Sequence, residues 1–191
     1  LIEIEEDIYD LKAKIFSKKV LIGKINFLED ITNTLNLKLK FNDNQITIIT
    51  GSHILIEEVL AEISGVIGRK RFLDLSVATE KQQIKHIIRY MPKKFRALTK
   101  SFLAEGLIDC KGDIIRKSDD KNPSFEMDFN IKNGVFELKE KPIKFTNIST
   151  NGKITNGDLK NFQTSEIAFS NFSTNLANGK IFGNFKINNL N

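Results

Sequence analysis

The sequence is short of the residues that most protein chemistry is built from. Among 191 residues it has one cysteine, two histidines and no tryptophan. Cys110 has no second cysteine for an internal disulfide and cannot build a metal site alone. His53 and His86 are too few for a zinc or iron centre. They also leave a histidine-based acid–base or nucleophilic arrangement little to work with. Neither a Gly-x-Gly-x-x-Gly fingerprint nor a Walker loop occurs, so no phosphate cradle is indicated. Gly51-Ser52-His53 lacks the surroundings of a nucleophile elbow. No run approaches the roughly 20 apolar residues of a membrane-spanning helix. The chain begins at Leu1 without a signal peptide, and it reads as a piece of a longer protein whose targeting segment lies elsewhere. The expectation is a soluble, non-catalytic protein with no cofactor and no metal.

What is present points to a packed, mostly β domain. Hydrophobic residues make up 40% and charged residues 28%, which suits a folded chain rather than a disordered one. The aromatic set is lopsided, with fifteen Phe against two Tyr. Phe brings a large apolar surface and no polar atom to satisfy. The formal charge of +5 is uneven. Arg69, Lys70, Arg71, Lys81, Lys85, Arg89, Lys93, Lys94, Arg96 and Lys100 face only Asp74 and Glu80, a net of +8 in that window that leaves −3 for the remainder.

Most of the chain alternates apolar and polar residues with a period of two. Thr34-Leu-Asn-Leu-Lys-Leu-Lys-Phe41 is the cleanest case. Val59, Ala61, Ile63, Gly65 and Ile67 repeat the pattern, as do Leu73, Leu75 and Val77, then Phe125, Met127, Phe129 and Ile131, and finally Phe185 and Ile187. Such alternation gives strands with one dry face and one wet face. Asn42-Asp-Asn44, Asn133-Gly134, Asn151-Gly152, Asn156-Gly157 and Asn178-Gly179 read as turns, because Asn-Gly tolerates the positive φ of tight hairpins. The predicted fold class is mainly β (α+β). It is a curled antiparallel sheet, or β-groove, of about ten strands in a single domain spanning 1–191.

One amphipathic helix interrupts this pattern at about 80–103. Ile84, Ile87, Ile88, Met91, Phe95, Leu98 and Phe102 fall on one apolar arc at helical spacing, while Lys85, Arg89, Lys93, Arg96 and Lys100 form a basic face. Pro92 should kink the helix while leaving its two halves nearly collinear, since the apolar phase stays in register across it. A basic amphipathic helix can lie on an anionic membrane surface or simply dock on the sheet with its charges solvated. Nucleic acid is not expected as a partner, since no aromatics alternate with the basic residues as stacking platforms require.

An internal repeat lies near the C-terminus. Ile143-Lys-Phe-Thr-Asn-Ile-Ser-Thr-Asn151 matches Ile167-Ala-Phe-Ser-Asn-Phe-Ser-Thr-Asn175 at an offset of 24 residues. An antiparallel strand pair with turns fits that length and would restore the chain direction. Glu57-Glu58 and Asp119-Asp120 are adjacent carboxylates. Along a strand they would face opposite ways, so they read as solvated surface and not as a converging acid–base pair. Cys110 lies in an apparent strand and reads as a small buried residue.

The order of elements resembles a known family. A strand ending in Leu73-Asp-Leu-Ser-Val77 leads to Ile87-Ile-Arg-Tyr-Met-Pro92. Then follow Phe102-Leu-Ala-Glu-Gly-Leu-Ile-Asp-Cys-Lys-Gly-Asp-Ile114, Asn122-Pro-Ser-Phe125, Ile131-Lys-Asn-Gly-Val-Phe136, Pro142-Ile-Lys-Phe-Thr-Asn-Ile148 and Asn151-Gly-Lys-Ile154. From roughly Val59 to Leu190 this is similar to the C-terminal region of AsmA-like proteins, bacterial envelope bridge-like lipid transfer proteins of the AsmA/TamB type. The first 58 residues fit as further strands of the same sheet. The resemblance implies a β-groove that shields and conducts phospholipid acyl chains at the periplasmic face of a bacterial cell envelope, in support of outer-membrane lipid homeostasis. It further implies an anchor in the inner membrane, which would lie outside this sequence, and carries no catalytic residues. On that reading Leu35, Leu37, Leu39, Phe41, Phe125, Met127, Phe129, Phe145 and Phe169 line the groove. Partners would be phospholipid or another acyl lipid, an anionic membrane surface, or other envelope proteins. Two further readings stay open: a β-scaffold for protein interaction without ligand, and a peripheral module held on anionic membranes by the basic helix.

Overall fold

In the computed structural model the described residues are 7–22, 25–89 and 99–189. Ten strands run in chain order: β1 (Ile8–Ile22), β2 (Ile25–Phe41), β3 (Gln45–Ile56), β4 (Val59–Gly68), β5 (Leu73–Gln83), β6 (Phe102–Arg116), β7 (Ser124–Leu138), β8 (Lys144–Thr155), β9 (Glu166–Leu176) and β10 (Gly179–Asn188). Each pairs antiparallel with its sequence neighbour, and the sheet order is β1 through β10 without a crossover. Among the described residues the sheet is open and at most weakly curled, with β1 and β10 as its outermost strands. The strand count, the sequential antiparallel order and the alternating pattern are as the sequence predicts.

The helix is not. Among the described residues of the predicted segment, Ile84–Arg89 forms an α-helix, α1, which packs on β5 and β6. Glu80–Gln83 continues β5, because Gln82 and Gln83 pair with Ile108 and Leu107. Phe102 and Leu103 begin β6, opposite Leu138 and Glu137. Lys100 sits in a 3-10 turn, Thr99–Ser101, and is exposed. Pairing to a long neighbouring strand overrides helical spacing at both ends of the predicted segment. Met91, Pro92, Lys93, Phe95, Arg96 and Leu98, and with them the predicted kink, lie outside the described residues.

Two Asn-Gly pairs are not turns. Asn133-Gly134 lies inside β7 and Asn151-Gly152 inside β8. Asn133 has φ 54° and forms a bulge where the β7–β8 register slips between Ile131 and Gly134. Related slips, each marked by a left-handed residue, occur at Gly51 in β3, Lys81 in β5, Gly106 in β6, Asn147 in β8 and Asn171 in β9. A bulge inserts residues into one strand, bends it and sharpens its twist. The extra residues also preserve which face each flanking side chain meets.

The 24-residue repeat encodes two of these bulges. It does not restore chain direction as predicted, since its copies lie on β8 and β9, which are antiparallel neighbours. Asn147 and Asn171 are equivalent positions with φ of 52° and 53°. Ser149 pairs directly with its counterpart Ser173. Thr150 Oγ1 lies 3.1 Å from the Ser170 carbonyl, and Thr174 Oγ1 lies 2.9 Å from the Thr146 carbonyl. Ser170 and Thr146 are the residues just before the two bulge asparagines. A local two-fold axis through Ser149–Ser173 therefore relates the copies, and each threonine hydroxyl lies within hydrogen-bond reach of the carbonyl before the other strand's bulge and of the next carbonyl in its own strand, Asn151 at 3.0 Å from Thr150 Oγ1 and Asn175 at 3.4 Å from Thr174 Oγ1.

Candidate functional site

The register brings the apolar positions of all ten strands to one face. Directly paired residues of neighbouring strands share a face. One row across the sheet reads Tyr9, Leu39, Ile48, Gly65, Leu75, Ile114 and Phe125. The next reads Ile63, Val77, Gly112, Met127, Ile154, Ile167 and Ile187. A third runs Cys110, Phe129, Gly152, Phe169 and Phe185. Leu35, Leu37 and Phe41 share this side with Leu39, and Phe145 joins it opposite Phe136. All nine residues predicted to line a groove thus occupy the same face of the sheet.

The composition of this face changes along the sheet. From β1 to β5 it is mainly Leu and Ile; from β6 to β10 it is largely Phe. Rings touch in two series. Phe102, Phe136 and Phe145 lie 4.8 and 6.1 Å apart. Phe129, Phe169, Phe185 and Phe172 lie 5.5, 4.4 and 5.2 Å apart in succession. Gly152 makes room for this packing: a methyl there would stand 2.0 Å from Phe129 Cζ. The glycine lets the Phe129 ring approach the backbone of β8 closely.

Polar atoms on this face are turned into the backbone. Ser52, Thr150 and Thr174 are almost fully buried there. Ser52 Oγ accepts from Lys38 N–H at 2.9 Å and donates to the Ile49 carbonyl at 2.7 Å, which closes the β3 bulge. Thr150 and Thr174 serve the β8 and β9 bulges as described above. A hydroxyl bonded to backbone exposes its methyl or methylene side instead. The signal for these residues was available in the sequence, because each sits at a break in the apolar period.

The described residues form one sheet with no second sheet packed on it, and beyond sequence neighbours the strands' main contacts are with α1 and, for β6, the Thr99–Ser101 turn. Among the described residues only Ile31, Leu37, Leu39, Ile48, Val59 and Phe129 are buried apolar side chains. Tyr9 is 52% exposed, Phe41 51% and Phe185 41%. The chain's accessible surface is 13,068 Å², against about 9,200 Å² for a compact monomer of its mass.

The other face is wet and charged. Lys153 pairs with Glu126 and Asp128, Lys144 with Glu137, and Lys186 with Glu166, each across adjacent strands. The lysines of the first two sets titrate above the ordinary range because their carboxylate partners hydrogen-bond the ammonium. Ser76 donates to Asp113, and Asn130 to Asn151, in the same cross-strand manner. Such pairs fix the register from the solvent side.

The remaining predicted residues distribute as follows. Ile84, Ile87 and Ile88 are half-buried on α1, whereas Lys85 and Arg89 are exposed. Glu57 and Glu58 lie in the β3–β4 turn, not along a strand. Glu58 holds His86 Nε2 at 2.9 Å and Arg89 at 3.8 Å, which ties α1 to that turn. Asp120 holds Lys160 Nζ at 2.6 Å, tying the β6–β7 loop to the β8–β9 loop. Both carboxylates are structural ties, where the sequence suggested only solvated surface. Cys110 is a half-buried strand residue, and burial followed by the charge of Asp109 pushes its thiol up to about 11. Among the described residues no group of His, Cys, Asp and Glu could hold a metal ion, and no helix is long and apolar enough to cross a membrane. Comparison of the chain with protein-family models, with curated proteins and with solved structures yields no match.

Proposed function

We propose that this chain shields and conducts phospholipid acyl chains along its apolar sheet face, as a section of an AsmA-type β-groove at the periplasmic side of a bacterial envelope. The observation that carries the proposal is the face on which the apolar positions of ten strands gather, with no second sheet packed on it among the described residues. At about 4.8 Å per strand it extends roughly 50 Å across the sheet. Leu37, Leu39 and Ile48 are nearly buried even so. Without a second sheet above them, side chains of the same face supply the cover, which favours a sheet that bends toward its apolar side.

Energetics favour such a ligand. Each methylene removed from water contributes about 0.8 kcal/mol, so a sixteen-carbon chain gains on the order of 12 kcal/mol from full cover. Passage along a face needs continuity, because a polar gap a few methylenes long would be a steep barrier. The inward-bonded hydroxyls of Ser52, Thr150 and Thr174 avoid such gaps at the bulges.

The test is native mass spectrometry of delipidated chain after incubation with phospholipid vesicles. Bound phospholipid is expected on the unaltered chain and on Leu60→Asp, which changes the wet face of β4. It should be reduced or lost on Ile67→Asp, which places a charge on the apolar face of the same strand. Equal lipid on both variants, or none on the unaltered chain, would overturn the proposal.

Exposure of Lys85, Arg89 and Lys100 favours a second role for the α1 region as a contact with anionic lipid head groups. Sedimentation with anionic vesicles should then weaken as salt rises, and salt-independent sedimentation would remove this role.

A further inference from the structure

We propose that Arg116 and the basic β4–β5 turn beside it form a phosphate site that holds the lipid head group at one rim of the apolar face. The inference rests on the acyl-chain reading above and adds to it the place where the polar end of the lipid is held.

One further row of the apolar face reads Phe41, Ile46, Ile67, Leu73 and Arg116. Directly paired residues share a face, so the row passes from four apolar side chains to a guanidinium. Arg116 is the last residue of β6. Two residues back on the same face, Ile114 pairs with Leu75 and continues the apolar surface inward. A charge on the dry side of an edge strand guards against stray pairing. That reason does not apply here, because β6 lies in the middle of the sheet between β5 and β7.

The guanidinium is oriented but only partly used. Arg116 Nε–H donates to the Arg71 carbonyl at 2.6 Å, and no contact among the described residues takes its two Nη groups. A guanidinium fixed at one end offers a planar fork of donors that matches phosphate oxygens. The turn that fixes it is itself basic. Arg69, Lys70 and Arg71 are all exposed, and Lys117 follows Arg116 directly. Lys70 and Arg71 have φ of 52° and 67°. Glycine takes this left-handed conformation without steric cost, whereas lysine and arginine do not. Two basic side chains thus stand where the backbone alone would favour none, and strain of this kind gathers at ligand sites.

The acids nearby are otherwise engaged. Asp120, in the loop after β6, holds Lys160 at 2.6 Å. Asp74 and Asp113 alternate with Leu75 and Ile114 and so belong to the wet face. Lys70, Arg71 and Arg116 make no ion pair among the described residues. The charge is therefore free for an anion, and its position selects which one. A phospholipid carries its phosphate directly above its acyl chains. With the phosphate on Arg116, the chains run inward over Leu73, Leu75 and Ile114. Phe41 and Ile67 of the end row are exposed, which leaves this end of the face open. The site lies at the strand ends opposite α1, so it is separate from the basic residues of that helix.

The experiment is equilibrium dialysis of the delipidated full chain against dodecyl phosphate, dodecanol and inorganic phosphate, below the concentration at which micelles form. The first two share an alkyl chain and differ in head group, and the third is the head group alone. The unaltered chain should bind dodecyl phosphate about tenfold to a hundredfold more tightly than dodecanol, as hydrogen bonds to a charged group imply. Inorganic phosphate should bind far more weakly than dodecyl phosphate. Arg116→Gln should remove the preference for phosphate and leave dodecanol binding unchanged. Arg116→Lys, which keeps the charge without the fork, should restore only part of it. Arg71→Gly suits the local φ and keeps the carbonyl that orients Arg116. It should be at least as stable as the parent in urea and weaken dodecyl phosphate about twofold to fivefold. Lys111→Gln makes the same charge change on the wet face of β6 and should alter neither affinity. Equal affinity for the two alkyl compounds on the unaltered chain, or a phosphate preference that survives Arg116→Gln, overturns the head-group site and leaves the acyl-chain reading standing. Should Arg116→Gln fail to fold, a preference unchanged in Arg71→Gly overturns it instead. Inorganic phosphate bound as tightly as dodecyl phosphate would make the ligand a free phosphate and overturns it as well. No binding of either alkyl compound removes the acyl-chain reading and this site with it.

Discussion

Replacing Thr150 and Thr174 with valine tests whether the reciprocal hydroxyls hold the paired bulges of β8 and β9. Valine keeps the volume and shape of threonine and removes only the donor. The two side chains are 2% and 3% exposed, so water cannot replace what is lost. A made hydrogen bond contributes about 1 kcal/mol net, and an abandoned buried carbonyl costs about 1–3 kcal/mol. Each single variant should therefore lose about 1–2 kcal/mol of unfolding free energy. The two hydroxyls serve opposite ends of one local dyad around Ser149 and Ser173. Once one bulge is loosened, the second hydroxyl has less to hold, so the double variant should lose less than the sum of the singles, by about 0.5–1 kcal/mol. Urea unfolding followed by circular dichroism gives all three values. Ser149→Ala, exposed on the wet face at the dyad itself, is the control and should change stability by less than about 0.5 kcal/mol. Valine variants as stable as the parent, or strictly additive losses, would refute the reciprocal arrangement.

Other outcomes follow from single contacts. Gly152→Ala should destabilise by about 1–3 kcal/mol in the same assay, since its methyl would meet Phe129 Cζ at 2.0 Å and the Ala168 carbonyl at 2.6 Å, and overpacking outweighs the entropy gained. The Cys110 thiol, pushed up to about 11, should react with a disulfide reagent at pH 8 about a hundredfold more slowly in the folded chain than in urea, and rates within tenfold would contradict its placement. Asp120 titrates below the ordinary carboxylate range because Lys160 and then the Lys117 backbone hydrogen-bond it. A lowered folded value means its contribution is present above the unfolded carboxylate pKa of about 4 and is lost as pH falls through the folded value. Asp120→Asn should accordingly flatten the acid limb of a stability–pH curve below about pH 4 and leave its alkaline limb unchanged; an unchanged acid limb would contradict the tie to Lys160.

The strands were legible because their cause is local. Leu35, Leu37, Leu39 and Phe41 announce both a strand and its dry face, and hairpin pairing of neighbours then sets the sheet order. The bulges were written in the same code but at a different spacing. Phe145 and Ile148, Phe169 and Phe172, and Ile131 and Gly134 are three residues apart where two would be regular, and each slip marks an inserted residue beside an asparagine at positive φ. Reading Asn133-Gly134 as a hairpin turn followed from the φ preference alone, which bulges and turns share. The stretch from Glu80 misled for the opposite reason. Its helical spacing is real over Ile84–Arg89, but Gln82, Gln83 and Phe102 are claimed by pairing with β6 and β7, a long-range effect that no local period reveals. Of the candidate site, the shared face of the nine residues predicted to line a groove was readable from alternation. The Phe ring series across β6 to β10 and the carboxylate ties at Glu58 and Asp120 depend on register and loop contacts, and so were not.

The most direct measurement places the ligand on a face. Phospholipid with a photoactivatable group near the acyl terminus, loaded on the delipidated chain and irradiated, should label residues such as Leu39, Leu75, Ile114, Phe125 and Phe169, as read by peptide mass spectrometry. Their strand neighbours Lys38, Asp74, Asp113, Glu126 and Ser170 should stay unlabelled. Labelling that ignores this alternation, or that is confined to the wet face, would contradict an acyl-chain path along the apolar side of the sheet.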